Sequence, residues 1–571
     1  MRVNVFLVGV CAACTPASSS KLDRVEGWQD SAVDSAVDSG GVVDSGEPAD
    51  VLTEPPCNTH LSLDAGAVRT STAVMQGVRH DGGTRVLGIP FAEAPVDARR
   101  FAAPEPYACR PDEALDGADW PSKCLQRDPD TDRSIGAEDC LFLNVFTPEA
   151  LPLDAPSAHR PVLVFIHGGG HVAGSTSEEL VVREHLYDGA ELAAATGAVV
   201  VTLQYRLGAL GFLTHPDLLD AAGHTGNWGL LDQQLALQWV QENAPSFGGN
   251  PDQVMLFGES AGAVDTCMQL VSPGAAGLFG AAAVQSGSCP TRTLAEARDE
   301  AEAAFETVGC THTESRLDCL RSEVDPEAFS ALSQAILSGI GIPGGGGWGP
   351  VVDGVVLPDA PRALIEAGAH NAVPTILGTN AHETAQWVPE LTERQVETLL
   401  RGYFDDLAPD IQALYPVSAY DSARWAWVDL TTDSVFTCRS RGFADLLAAH
   451  QAPPVYRYFF SKRPVGASGE QDGAWHGVEL LYLFQTTQRL VDLGVYAPDD
   501  ADWRVQEVMA RAWSNLASTG VPDDGPLDLG LDWPAVGAAD HDVLELGATT
   551  GVVAAPRSAY CAFWEPHIEV P

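Results

Sequence analysis

An apolar stretch, Gln253-Val254-Met255-Leu256-Phe257, runs directly into Gly258-Glu259-Ser260-Ala261-Gly262, and a helix is expected to follow over Ala263 to Leu270. Strand, tight turn with flanking glycines, then helix is a demanding local order. It is the context that lifts a serine out of a sheet and exposes its hydroxyl. The glycines are needed because the turn brings the strand and helix backbones together, where a Cβ would clash. A serine hydroxyl is a poor nucleophile by itself. The turn therefore calls for a base, an acid that orients the base, and donors for a developing oxyanion elsewhere in the chain.

The surrounding pattern is that of a large α/β protein. Val162 to Ile166 and Val199 to Leu203 are short, continuous apolar runs, as expected of strands covered on both faces. Ala190 to Ala195 suits a crossover helix between them, and Leu230 to Gln241 carries Leu231, Leu235, Trp239 and Val240 on one helical face. This alternation implies a large, mostly parallel central sheet with helices on both faces. Further on, 292–308 and 393–404 read as amphipathic helices, and Val373 to Leu377 and Val455 to Phe460 as later strands. Gly341 to Gly349 reads as a glycine-rich loop. It is no phosphate cradle, because no Gly-Lys-Ser/Thr follows it.

Charge narrows the partners. The formal net charge is −46, and Lys21, Lys123 and Lys462 are the only lysines. Such a surface repels nucleic acid and anionic lipid, which argues against either as a partner held by charge. It also suits adaptation to salt, which screens a dense negative surface.

The amino terminus reads as an export signal over residues 1–14. Met1-Arg2 precedes the apolar stretch Val3 to Val10, and the small residues Ala12-Ala13 precede Cys14. The end resembles a bacterial lipoprotein signal, and acylation of Cys14 would tether the chain to a membrane surface. Simple cleavage and secretion is the alternative, and Cys11 stands where an aliphatic residue is usual. Either way the chain is expected to be exported, secreted or lipid-anchored at the bacterial cell envelope. Residues 15–56 repeat Asp, Ser, Ala and Val and bury too little to offset their ordering entropy, so a disordered Asp/Ser-rich linker is expected there. A single folded domain is expected over 57–571, with no later stretch apolar enough to span a bilayer.

The oxyanion demand points to His167-Gly168-Gly169-Gly170, immediately after the 162–166 strand. A glycine-rich loop there lets backbone N–H groups approach a substrate carbonyl. Taken alone it is equally an ordinary turn; the serine downstream favours function.

With these motifs the chain resembles the type-B carboxylesterases, the α/β-hydrolase family that includes cholinesterases. The resemblance rests on Glu138-Asp-Cys-Leu-Phe-Leu-Asn-Val145, His167 to Gly170, Tyr205 to Leu213, Gly226 to Gln233, Trp239 to Asn243, Phe247 to Asn250, the serine turn, Gln285 to Ser288 and Pro350 to Gly354. It implies the α/β-hydrolase fold and a serine carboxylic ester hydrolase. Glu383 takes the position of the orienting acid, although His382 and Thr384 depart from the usual Asp-Glu-Gly. Gly473-Ala-Trp-His-Gly-Val-Glu-Leu480 places the base at His476. Ser260, Glu383 and His476 then follow the Ser…acid…His order of such enzymes. Without the resemblance, Glu383 reads as a surface acid and His476 as a loop histidine.

The implied oxyanion donors are the N–H groups of Gly169, Gly170 and Ala261. Glu259 is expected near the substrate pocket, with local hydrogen bonding as the alternative. Ser286 is expected to support the histidine or simply to pack in the core. Tyr205 and Arg206 read as structural. The expected partner is a small-molecule ester, and no metal or organic cofactor is needed. The resemblance also implies disulfides Cys124–Cys140, Cys310–Cys319 and Cys438–Cys561; twelve cysteines suit an exported chain. Cys57–Cys109 is a further expected pair, and Cys267 is expected to be buried and free. In cholinesterases a tryptophan between the first two of these cysteines holds the choline cation. Here Leu125 to Asp139 contains no aromatic residue, which argues against choline esters.

Overall fold

The structure is a computed structural model that describes residues 63–568, apart from 81, 111–113, 129–130, 152–158, 182–183, 312–314, 333–346, 465–472, 495 and 538–541. The expected export signal, Cys14, the linker, Cys57 and most of the 341–349 loop lie outside the described residues.

The chain builds one sheet of 11 strands. In chain order these are β1 (Val78–His80), β2 (Gly83–Pro90), β3 (Phe142–Thr147), β4 (Arg160–Ile166), β5 (Val199–Leu203), β6 (Gly249–Glu259), β7 (Ala281–Gln285), β8 (Thr375–Asn380), β9 (Val455–Phe460), β10 (Val543–Leu546) and β11 (Gly551–Val553). Their order across the sheet is β11-β10-β9-β8-β7-β6-β4-β5-β3-β2-β1. Pairing is parallel from β5 through β4, β6, β7, β8 and β9 to β10, and antiparallel at both margins.

Both faces of the sheet are covered, as continuous apolar strands require. Along β4, Val162, Val164 and Ile166 enter one core, and Leu163 and Phe165 enter the other. The first core is closed by α2 (Trp228–Asn243) and α3 (Ala261–Val271), through Leu237, Ala263 and Leu270. The second is closed by α1 (Ala190–Thr196) and by α4 (Asp500–Thr519), through Leu192, Val508 and Trp513. A third cluster, around Trp427 and Trp564, packs the 385–430 region against the C-terminal segment.

The sequence of crossings creates the site. From β4 the chain moves to β5 on one side, then returns to place β6 on the other. The strand order therefore reverses at β4, and ligands in open α/β sheets bind beyond the carboxyl ends of the strands at such a point. Gly258 of β6 lies in register with Ile166 of β4. The segments that follow these residues are thus neighbours although far apart in sequence.

Cystine bridges join Cys124 to Cys140, Cys310 to Cys319 and Cys438 to Cys561. The expectation that Cys267 is free is corrected: it is bonded to Cys289. Cys267 lies on α3 and Cys289 just beyond β7, two neighbours in space that bring the Cα atoms to 5.6 Å. That proximity comes from helix-on-sheet packing and leaves no mark on spacing. Cys109 is also disulfide-bonded.

Candidate active site

The turn between β6 and α3 holds Ser260 at φ 57° and ψ −120°. A non-glycine residue there is strained by roughly 1–3 kcal/mol, and such strain persists where the surroundings over-determine it. The constraints are visible. Ser260 N–H donates to the Gln285 carbonyl of β7 at 3.0 Å, and its own carbonyl accepts from Ala263 and Val264. A Cβ on Gly258 would strike the Gly262 carbonyl, and one on Gly262 would strike the Ile166 carbonyl. The glycines therefore permit the close approach of helix and sheet. The Ser260 hydroxyl does not cap α3.

The loop after β4 lies against this turn. A Cβ on Gly168 would come within 3.0 Å of the Ser260 Cβ. Gly169 has φ 111° and Gly170 φ 63°. Among the described residues, the N–H groups of Gly169, Gly170 and Ala261 donate to no backbone acceptor outside helices and strands, and Ala261 opens its helix. The first N–H groups of a helix have no intrahelical partner, so this donor is free for an anion. The loop is held from below. The Tyr205 hydroxyl donates to the His167 carbonyl at 2.9 Å, and the His167 ring stacks on Tyr205. Burial pushes the His167 imidazole down to about 4. Arg206 makes a buried bidentate pair with Asp232 at 2.7 and 2.8 Å, a bracing contact away from the turn.

Glu383 is fully buried just beyond β8. Its Oε1 accepts from the Asn380 N–H at 2.7 Å, and its Oε2 lies 2.7 Å from His476 Nδ1. Both oxygens are thus engaged, and the imidazole is fixed in plane. The residues that depart from the family pattern are also anchored. His382 N–H donates to the Ala474 carbonyl at 3.0 Å, and Ala474 N–H donates back to His382 Nδ1 at 3.1 Å. This doubly ties the acid's loop to the loop bearing His476. Burial, then Arg463, push the His382 imidazole down to about 3. Thr384 is buried, with its hydroxyl 2.6 Å from that of Thr431.

The other ring nitrogen of His476 faces the serine turn. Nε2 lies 3.1 Å from Oε1 of Glu259, the residue that precedes Ser260. In this state Nε2 lies within ion-pair distance of Glu259, whose Oε1 completes no hydrogen bond, and among the described residues no bond joins Nε2 to the Ser260 hydroxyl. Ser286 lies below, at φ 55°, with its Oγ buried and unpartnered among the described residues and no bond to His476.

Three buried carboxylates, Glu259, Glu383 and Glu479, surround this single imidazole. Burial pushes His476 down, but Glu259, Glu383 and Glu479 together overcome it and hold the ring at about 9. Burial, with the like charge of Glu383, raises Glu259 to about 7 against the pull of His476. Burial, with Glu259 and Glu383, raises Glu479 to about 8. Like charges in a dry site cannot all ionise, so protons are retained there at neutral pH.

Two residues here carried little or no warning in the sequence. The rings of Trp387 and Phe436 flank His476 at 5.2 and 5.0 Å. Trp387 follows the acid by one helical turn's length of chain, a faint signal. Phe436 is delivered by a π-helical turn, Asp433–Thr437, which leaves no periodic trace. Among the described residues no cluster of three or more His, Cys, Asp or Glu side chains is arranged to hold a metal, and no helix is long and apolar enough to cross a membrane.

Known proteins share this architecture. Residues 64–564 match the model of the carboxylesterase family. The para-nitrobenzyl esterase of Bacillus subtilis (strain 168) is 32% identical over 503 residues, which cover 86% of this chain and 96% of that one. The acetylcholinesterase of Bungarus fasciatus is 32% identical over 571 residues, covering 90% and 88%. Among solved structures, a thermophilic PNB esterase superposes with a TM-score of 0.72 at 30% identity, over 87% of this chain and 99% of that one.

Proposed function

The chain belongs to the carboxylesterase family and is a carboxylic ester hydrolase, and we propose that it works through an acyl-enzyme formed on Ser260. With the proton shared at Nε2 passed to Glu259, which burial makes a ready acceptor, the neutral His476 turns Nε2 to the adjacent Ser260 hydroxyl and takes its proton as Oγ attacks the ester carbonyl. Hydrogen bonds of this kind are often made only in the substrate complex. Glu383 keeps the proton on Nδ1 and stabilises the imidazolium. The N–H groups of Gly169, Gly170 and Ala261 receive the oxyanion, and being fixed in advance they need no reorganisation as charge develops. Collapse of the tetrahedral intermediate expels the alcohol with the proton held by His476. Water, activated by the same imidazole, then attacks the acyl carbon and releases the acid and free Ser260.

The observation that carries this reading is the His476 ring itself: Glu383 lies 2.7 Å from one nitrogen, and the residue beside Ser260 lies 3.1 Å from the other. Glu259 acts on the same imidazole by charge. The Cys124–Cys140 loop lacks an aromatic residue, so we assign neutral carboxylic esters rather than choline esters as substrates. The disulfides support export; Cys14 is the candidate lipid tether, with cleavage and secretion as the alternative.

The test is hydrolysis of a p-nitrophenyl ester series by the parent protein and by Ser260→Ala. A burst of p-nitrophenol equal to the enzyme concentration, absent in Ser260→Ala, is expected. Retained turnover in Ser260→Ala refutes the nucleophile.

A further inference from the structure

The oxyanion donors come from two separate elements. Gly169 and Gly170 belong to the loop after β4, whereas Ala261 opens α3. Donors act on an oxyanion only if they converge to within hydrogen-bond distance of one point. Some contact must set the loop against the helix.

A buried pair spans the two at that place. His171 directly follows Gly170, and its Nε2 lies 2.8 Å from Oδ1 of Asp265. Asp265 stands one helical turn beyond Ala261 on α3, so it projects along the same side of the helix. The side chains are 5% and 0% exposed. The second Asp265 oxygen accepts from Gln233 Nε2 of α2 at 2.6 Å, and Gln233 Oε1 accepts from Gln269 of α3 at 3.0 Å. The aspartate is therefore fixed by its own helix and the next. His171 is held as firmly. Its carbonyl accepts from Gly208 N–H at 2.6 Å, and its ring meets Phe212 edge-on at 4.9 Å. It sits at φ 60°, a left-handed conformation that a non-glycine residue adopts at a cost. Glycine would fit that backbone without strain, but glycine has no side chain to reach α3.

We propose that His171 and Asp265 are positioning residues which lock the Gly169–Gly170 loop to the nucleophile helix and so hold the oxyanion donors in register. The proposal rests on the acyl-enzyme reading above and adds residues that touch no reacting atom. Misplacing reacting groups by about 1 Å costs about 100-fold in rate. Losing the strap should therefore lower kcat while leaving ground-state binding nearly intact.

The experiment compares the parent, His171→Gly, His171→Gln, Asp265→Ala and the double variant His171→Gly/Asp265→Ala. The readouts are kcat, KM, the p-nitrophenol burst, and inhibition by a trifluoromethyl ketone, whose adduct on serine places an oxyanion in the hole. His171→Gly relieves the φ strain and removes the strap, so a loss there cannot be blamed on backbone strain. We expect kcat to fall about 10- to 100-fold, KM to change less than about threefold, and ketone affinity to fall in step with kcat. Asp265→Ala should behave alike, and the double variant should be no worse than the poorer single. His171→Gln carries an amide N–H near the place of Nε2 and should recover much of the loss. Should Asp265→Ala not fold, the two His171 variants decide, because they leave the helix sequence untouched.

The proposal is overturned if His171→Gly keeps kcat within about twofold. It is overturned equally if kcat falls while ketone affinity relative to KM is unchanged, or if the single losses multiply in the double variant. Turnover that survives Ser260→Ala in the parent would instead remove the acyl-enzyme reading on which the proposal rests, and that outcome is read from a different variant.

Discussion

Replacing Glu383 by glutamine keeps the side-chain volume and exchanges one acceptor oxygen for a donor. In the native site each carboxylate oxygen receives one hydrogen, from the Asn380 N–H at 2.7 Å and from His476 Nδ1 at 2.7 Å. A glutamine offers a single oxygen to these two partners. The Asn380 N–H is backbone and cannot give up its proton, whereas an imidazole can shift its proton between nitrogens. The amide oxygen is therefore expected to face Asn380 and the amide NH2 to face Nδ1. Nδ1 then becomes the acceptor, and the proton sits on Nε2, the nitrogen proposed above to receive the Ser260 proton. A base in the wrong tautomer costs about 10³–10⁴ in kcat. That is a rise of about 4–5 kcal/mol in the barrier. Stability should change little, because Asn380 and the imidazole both keep a partner and the loss of one crowded negative charge offsets the second amide N–H, which gains no acceptor in this buried site. The assay is steady-state and burst kinetics on p-nitrophenyl butyrate, with the thermal midpoint measured by circular dichroism. A kcat within tenfold of the parent, accompanied by a lowered midpoint, would mean that the histidine kept its tautomer and Asn380 lost its partner, and the reasoning would fail.

Other expectations follow from the same structure. His476, Glu259 and Glu479 all have folded-state pKa values raised above those of the unfolded chain, to about 9, 7 and 8. The folded state therefore holds protons that the unfolded state releases. Stability from these groups is present below the unfolded values and is lost as pH rises through the folded ones. The thermal midpoint should fall between pH 6 and 9, and Glu479→Gln should show a shallower fall; parallel curves would contradict the assignment. Asp232→Ala strands the buried Arg206 guanidinium and should cost about 3–5 kcal/mol, read by urea unfolding, with little effect on KM. A net charge of −46 predicts a midpoint that climbs between 0.1 M and 1 M NaCl, where the screening length contracts to about 3 Å. A flat response would remove salt adaptation as an explanation of that charge.

Elements that are apolar and regular were readable in one dimension. The strands expected at 199–203 and 455–460 and the helix at 393–404 have those bounds in the structure. The helix expected from Ala263 extends one turn's fraction further at its start, to Ala261, because the serine itself supplies the break. The strand expected at 373–377 begins instead at Thr375, after Pro374, which has no N–H to give to a ladder. The marginal antiparallel strands β1 to β3 were not anticipated. They lie toward one margin of the sheet, where β2 and β3 still pair on both sides, so their place is set by neighbours across the sheet rather than along the chain.

The site divides in the same way. Ser260 stands in a turn whose glycines are a steric necessity, so the chain announces it locally. Gly169 and Gly170 stand in a loop that read as function only beside the serine turn. Glu383 and His476 were located through family resemblance, since neither an isolated acid nor a loop histidine carries a local signature. The Cys267–Cys289 bond, the pairing of His476 Nε2 with Glu259, the ring of Phe436 and the His171–Asp265 contact had no signature at all.

What the residues alone determined is what depends on neighbours along the chain: periodic burial, the strained turn and the glycine loop. What the tertiary structure decided is everything that depends on neighbours across it. Strand order sets β6 beside β4 and so brings a loop and a helix together from distant parts of the sequence. Burial then sets the charge of the groups gathered there. Both are properties of the folded solvent-free interior, which no stretch of chain possesses until the sheet has closed around it.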